Sequence, residues 1–337
     1  MNQQDTHLTS AEIGNLWTTY MNESMSNVML SFMLQHVQDT EIREVVQYAY
    51  DISQRDLGEM RTLFEKEKYV KPDGFSEQDV NMDAPWLFSD VFCLTYVNHM
   101  SKVGMASHSA FLGMSKREDI RSFYTRLLSD TSSLYNFTTE AAVSKGIHAT
   151  HPYLNVPKER EYIESKKYLS GLNPLHEKRA LNAVETTYLY MNVLTNAVGV
   201  KLAIAFAQTS MSREVQNHMI RGKEISNKHI KIFTAVFDEN DIVTPRLPDL
   251  GVSDSTTRTF SDKLMMFHMS MLTSAGVGNY ALAASSSLRT DLSLNYERLS
   301  LEIAKYAKSG IDLMIKHNWM EQPPEVKNRD ELIRKKK

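Results

Sequence analysis

One cysteine, Cys93, stands alone in the 337 residues. It has no partner for an internal disulfide, and a lone thiol suits a reducing compartment. Its neighbours Phe92 and Leu94 mark it as a small buried hydrophobe, and no Cys–His pairing motif makes it a nucleophile. Glycine and proline are sparse, 13 and 9 residues, which favours long regular elements over loops. Charge of one sign is not in excess either. The 38 basic and 41 acidic residues leave a net −3, which removes the electrostatic case for nucleic acid or an anionic membrane as partner. Uninterrupted apolar runs are missing: the most apolar stretch, 193–207, contains Asn196 and Lys201 and falls short of a bilayer span. Met1 to Ser10 is polar and lacks the apolar core of a signal peptide, so the expected location is cytoplasmic. There is no Gly-rich phosphate loop, Cys-x-x-Cys, His-Glu-x-x-His or nucleophile elbow. No alternating Val/Ile/Thr run supports a strand.

What is present is a duplication. Gln35, Glu41, Ile52, Ser53, Phe64, Val70 and Pro72 recur without gaps at Gln208, Glu214, Ile225, Ser226, Phe237, Val243 and Pro245, 173 positions on. One residue is then lost from a loop and the offset becomes 172. Phe88-Ser89-Asp90 recurs as Phe260-Ser261-Asp262, and Gly104 as Gly276. Ser115, Arg117, Asp119, Tyr124, Arg126 and Leu127 recur as Ser287, Arg289, Asp291, Tyr296, Arg298 and Leu299. Chance does not hold an offset over such a length.

Each copy reads as four long helices with apolar residues at three-four spacing, as in Val215, Met219, Ile230, Phe233 and Phe237. The expected spans are 10–36, 40–67, 85–113 and 117–145, then 183–210, 213–240, 257–286 and 289–317. Thr9 with Glu12, and Asn182 with Glu185, form capping boxes opening the first helix of each copy. Ser115 and Ser287 suit the N-cap of the fourth helix, with Asp119 and Asp291 in its first turn. Gly146 and Asn318 suit the left-handed residue that ends it. The fold class is therefore all-α: two tandem four-helix bundles, up-down with a longer connection between helices two and three that can run along the bundle or cross it, as in ferritin-like folds. Residues 8–150 form the first, 151–180 a linker with Pro152, Pro157, Gly171 and Pro174, and 181–324 the second. Within the linker, 157–168 has the makings of a short helix. A tail, 325–337, ends in the short basic run Arg334-Lys335-Lys336-Lys337, expected to be a frayed terminus rather than a lipid or nucleic-acid contact.

The second copy carries a resemblance. Leu181-Asn182-Ala183-Val184-Glu185, Arg221-Gly222-Lys223-Glu224-Ile225, Lys228-His229-Ile230, Phe233, Ser253-Asp254-Ser255-Thr256, Phe260 to His268 and Trp319-Met320-Glu321-Gln322-Pro323-Pro324 resemble the family catalogued as domain of unknown function 3231. These are duplicated helical-bundle proteins of spore-forming Bacillus-type bacteria, some labelled spore-coat-like by similarity to coat protein F. The resemblance covers nearly the whole chain and is weaker in the first copy. It implies a ferritin-like bundle and a spore association, and transfers no activity.

A ferritin-like bundle builds a di-metal site from a Glu on each of two helices and a Glu-x-x-His on each of the others. That spacing is missing here: Glu224 and His229 are five apart, Asp262 and His268 six. Acids do share a column in both copies, at Glu12/Glu185, Asp51/Glu224, Asp90/Asp262 and Asp130/Glu302. Glu185 and Asp262 fall near one end and Glu224 and Glu302 near the middle, about 15 Å away at the helical rise, too far for one metal cluster. Glu12, Glu185, Asp90 and Asp262 have capping or first-turn roles instead. His229 and His268 are expected to face the core at similar depth. With Glu185, Glu224 or Glu302 they are the candidate ligands for Fe, Mn or Zn, set against the plainer reading of core histidines satisfied by a neighbour.

Three functions follow. The first is a non-enzymatic structural or interaction protein with no cofactor. Its small-residue faces (Ala197, Gly199, Ala203; Ala275, Gly276, Gly278) and 19 methionines serve bundle packing, protein partners or self-association. The second is a ferritin-like metal-binding protein or di-metal oxidoreductase. The third is a bundle with a small-ligand cavity, for which Trp17, Tyr96, Tyr124 and Tyr296 are candidate wall residues.

Overall fold

The computed structural model describes residues 7–172 and 178–334; Met1–Thr6, Pro174 of the linker and Lys335–Lys337 of the tail lie outside the described residues. The first repeat comprises α1 (Ser10–His36), α2 (Thr40–Lys66), α3 (Asp90–Met114) and α4 (Glu118–Ser144). The second comprises α5 (Ala183–Thr209), α6 (Arg213–Asp238), α7 (Asp262–Ser286) and α8 (Thr290–Lys316), and a short α9 (Arg329–Arg334) follows. Between the repeats the only helical turn among the described residues is a 3-10 turn at Lys166–Leu169, short of the helix expected over 157–168.

Both capping boxes form, from Thr9 with Glu12 and from Asn182 with Glu185. Gly146 and Asn318 take φ of +67° and +56° after α4 and α8. Two expectations need correction. Ser115 and Ser287 do not cap the fourth helices. They end α3 and α7, with their hydroxyls donating back to the carbonyls of Phe111 and Ala283. The α4 and α8 N-caps are Arg117 and Arg289, and their side chains accept nothing. The carboxylate of helix one does that work from across the bundle. Glu12 accepts from the N–H groups of Lys116 and Arg117 at 2.9 and 2.7 Å, and Glu185 from Leu288 and Arg289 at 3.1 and 2.9 Å. One acid thus satisfies orphan donors at two helix starts. Second, α3 and α7 begin at Asp90 and Asp262, five residues later than read. Ser89 and Ser261 are their N-caps, and the segments before them make backbone bonds to the other repeat.

The same bonds orient the helices. Glu12 places the starts of α1 and α4 at one end of the bundle. Asp90 at the start of α3 accepts from the N–H groups of Gln38 and Asp39 before α2, at the other end. Helices one and four therefore run one way, two and three the other. The connection 67–89 must travel the length of the bundle, and 239–261 does the same in the second repeat. Gln35 and its counterpart Gln208 pin these crossovers, donating to Met82 O, and to Ser253 O and Ser255 O.

The crossovers also join the repeats. Val80 bridges Phe260, and Phe88 bridges Val252, antiparallel in both cases. Val252 and Phe260 are the counterparts of Val80 and Phe88, so the pairing is reciprocal. Asn81 N donates to Thr259 O at 2.7 Å and Ser253 N to Leu87 O at 3.0 Å; Ser261 N donates to Asp79 O at 2.8 Å and Ser89 N to Gly251 O at 3.0 Å. Each bond has its mate under the exchange of repeats, the pattern of a two-fold interface. The halves thus pack as a symmetric dimer made within one chain, and one apolar core runs through both. A second, smaller core around Leu16, Leu57, Met60, Phe64, Phe123 and Leu127 fills the far end of the first repeat. Among the described residues, α5 is the one helix long and apolar enough to cross a membrane, and 67% of its apolar window is buried in the protein.

Candidate functional site

The five sequence candidates do not converge. Glu185 is completely buried and committed: besides Leu288 and Arg289 it accepts from Asn182 N and pairs with Arg179 at 2.7 Å. Burial would raise its pKa, but these partners, Arg179 foremost, hold it below the usual carboxylate range. Glu224 is exposed. Glu302 joins His229, with Oε2 at 3.1 Å from Nε2, and both its oxygens lie 2.7 Å from Lys228 Nζ. His268 lies elsewhere, on the seam between repeats, where its Nε2 is 3.3 Å from the hydroxyl of Tyr96. Tyr96 and His268 are counterparts, so they meet on the two-fold axis. Burial and the nearby His99 push His268 down to about 3, which keeps it neutral. Among the described residues no group of three His, Cys, Asp or Glu side chains is placed to hold a metal ion.

What does converge is one polar side chain from each helix, at mid-height of each bundle and in the same columns. In the second repeat these are Asn196 (α5), His229 (α6), Tyr280 (α7) and Glu302 (α8). Asn196 Nδ2 donates to the Tyr280 hydroxyl at 2.8 Å, which is also bonded to His229 Nδ1 at 2.9 Å. The chain closes on Glu302 and Lys228. Burial lowers the pKa of His229 and Glu302 opposes it.

The same columns of the first repeat hold Glu23 (α1), Asp56 (α2), His108 (α3) and Asp130 (α4). Asp56 is 1% exposed and pairs with Arg126 at 2.7 Å and Arg55 at 3.3 Å; both arginines also reach Asp130. Burial raises its pKa, with Arg126 the main opposing group. Glu23 has no ion-pair partner among the described residues. Burial, and then the charge of Asp56, push it up to about 7 against smaller opposing effects of Ser53 and the charge of Arg55; the Ser53 hydroxyl donates to the Glu23 backbone carbonyl at 3.0 Å. His108 is 6% exposed, its Nδ1 has no hydrogen-bond partner, and burial pushes it down to about 4.

Each cluster borders a cavity. The first, about 90 Å³, is lined by Glu23, Ser53, Tyr96, Met100, Gly104, His108, Thr131 and a mainly apolar remainder, with Met271 reaching in from the second repeat. The other, about 70 Å³, lies among Asn196, Gly222, Ser226, Gly276, Tyr280, Ile303 and Tyr306. Every residue lining the second sits at a column that lines the first. Three exchanges put larger side chains into the second: His108 becomes Tyr280, Thr131 becomes Ile303 and Leu134 becomes Tyr306, while Glu23 becomes the shorter Asn196. Glu23 is deep in the bundle yet keeps accessible surface, because it borders this space. Of the expected wall residues Tyr96 lines it. Trp17, Tyr124 and Tyr296 do not, although Tyr124 bonds Thr19 in the wall at 3.1 Å.

Glu23 and His108 escaped the sequence reading, and Asp56 entered it only as the first-copy residue at the column of His229, because identity between copies was the guide and none of the three is kept in its counterpart. The usable signal was position: each is a polar residue on an inward face in both copies.

Fold and clusters together define an all-α protein of two tandem bundle repeats, each built around a four-helix polar node. The chain belongs to the family described as "Protein of unknown function (DUF3231)", which matches residues 1–159 and 170–332, one match to each repeat. A crystal structure of a "putative spore coat protein" from Bacillus halodurans is similar to part of it, at 16% identity and a TM-score of 0.42. That similarity covers 46% of this chain and 100% of the other. No curated protein matches.

Proposed function

We propose that the protein binds a small organic molecule inside its first repeat, with the second repeat serving as a structural partner and no chemistry done on the ligand. One observation carries this reading: the two repeats keep a cavity at the same columns, and only the first borders it with a carboxyl that has no ion-pair partner among the described residues and an imidazole whose Nδ1 has no hydrogen-bond partner there. An unneutralised buried acid costs stability, and the second repeat has removed that cost with Asn196 and Tyr280. Its retention in the first repeat fits a site held open for a partner group. Spore association, implied by the sequence resemblance, is compatible with this role and is a matter of where the protein acts.

The test is a fragment screen by ligand-observed NMR on the full chain and on the double variant Glu23→Asn, His108→Tyr. That pair already coexists at these columns in the second repeat, so the variant is expected to fold. Fragments that bind the parent and not the variant support the reading. Equal binding to both, or no fragment bound by the parent, refutes it.

A further inference from the structure

The kind of molecule can be argued further, on the reading that the first-repeat cavity is a binding site. Most of its wall is apolar, from Leu30, Ile52, Val97, Phe111 and Leu134, so the ligand's body is hydrocarbon. The polar features are at the level of Glu23 and His108. The charges that act on Glu23 are Asp56 and Arg55 from α2; His108 from α3 shares its cavity wall, and Arg126 and Asp130 from α4 join the ion-pair cluster of Asp56 and Arg55. The two arginines are already taken: Arg126 pairs with Asp56, Asp130 and Glu59, and Arg55 with Asp56 and Asp130. Among the described residues Glu23 is therefore an acid with no ion-pair partner of its own, acted on only at a distance by the already paired Arg55.

We infer that the cavity takes a small primary alkylammonium, its –NH₃⁺ on the Glu23 carboxylate and its alkyl chain among the apolar walls. An ammonium has three donors, so beyond Glu23 it can also serve the orphan Nδ1 of His108 or the hydroxyls of Ser53 and Ser101. At about 90 Å³ the space is smaller than the cavity of about 150 Å³ that admits benzene, so the chain is short, of about four carbons. Met100 and Met271 allow it to give a little, being flexible and unbranched.

The probes are n-butylamine and 1-butanol, alike in length and differing in charge. Met100 and Met271 border the cavity from two repeats, so ¹³C-methyl methionine NMR of the full chain at pH 7.5 reports on the site itself. Butylamine should shift these two signals and bind more tightly than butanol. Glu23→Gln keeps the shape and removes the charge. It should weaken butylamine by about tenfold or more, the loss expected when a charge-assisted contact goes, and leave butanol unchanged. Equal binding of amine and alcohol, unaffected by the variant, overturns the ammonium inference and leaves the cavity reading standing. If neither probe moves the Met100 and Met271 signals, both readings fall.

Discussion

Glu23 makes a measurable demand on stability. Its carboxyl titrates at about 7 in the folded chain against 4.5 for the free group. Between those values the native state holds a proton that the unfolded chain has released, so stability falls as pH rises through this window. A tenfold difference in proton affinity between the folded and unfolded chains is worth about 1.4 kcal/mol, so the full span makes Glu23 cost about 3 kcal/mol above neutrality. Glu23→Gln replaces it with a group of the same shape that never ionises. Both chains share every other titrating residue, so their difference isolates this one. Urea unfolding at pH 4.5, 6 and 8 is the assay. The variant should match the parent within about 1 kcal/mol at pH 4.5 and exceed it by about 3 kcal/mol at pH 8, a gap that grows across the window. A gap independent of pH, or a variant weaker than the parent at pH 8, would refute the assignment of Glu23 as a buried, unneutralised acid.

Three further outcomes follow from the geometry. Glu185→Gln removes the charge that serves the α5 and α8 starts and pairs Arg179, and should cost about 3 kcal/mol in urea at pH 7. Because the folded pKa of Glu185 is depressed, that advantage is fully present above 4.5 and lost as pH falls through the folded value, so the two chains should converge in acid. Gly74→Ala meets φ of +65° and a Cβ placed 2.6 Å from Ser24 Oγ; a loss of about 2 kcal/mol or more is expected, and thermal unfolding unchanged within error would contradict the crossover geometry. Tyr96→Phe strips His268 of its remaining hydrogen-bond partner and should cost about 1–2 kcal/mol, whereas adding His268→Phe should recover most of it; additive losses in the double-mutant cycle would argue against the pair.

Much of the fold was legible because it is written locally. The capping boxes at Thr9–Glu12 and Asn182–Glu185, the left-handed Gly146 and Asn318, and the three-four apolar spacing each involve residues within a turn or two of one another. The constant offset then doubled the evidence for every element. What depends on distant segments was not legible. Ser115 and Ser287 look like N-caps until α3 and α7 are seen to run up to them, leaving the start of the next helix to a carboxylate more than a hundred residues upstream. The early start given to α3 and α7 has the same cause, since 80–88 and 252–260 satisfy their backbone groups across the seam. His268 was rightly placed in the interior, but its neighbour across the axis, Tyr96, belongs to the other repeat. At the cavity the obstacle was different. Identity between copies finds what both repeats need for folding, and so it found Glu12, Arg117 and Asp119. The residues where the copies part company are those that packing does not dictate.

That distinction bears on why the node differs between repeats. Where the halves share a job, at the helix-start carboxylates, the Arg117–Asp119 and Arg289–Asp291 pairs and the crossover bonds, the residues or their geometry are duplicated. On the axis duplication gives way, because a column there faces its own counterpart. The exchange of one member to His268 sets an imidazole beside the Tyr96 hydroxyl, and Glu23/Asn196 with His108/Tyr280 shows the same divergence inside the bundles. In the second repeat the change completes a hydrogen-bonded chain from Asn196 through Tyr280 and His229 to Glu302. In the first it leaves, among the described residues, an acid with no ion-pair partner and an imidazole nitrogen with no hydrogen-bond partner, beside a cavity. Packing alone would favour the second arrangement in both halves, since it satisfies more buried polar atoms with the same backbone. The first arrangement persists beside a ready-made alternative in the same chain, and that contrast is the physical reason to look for a ligand there.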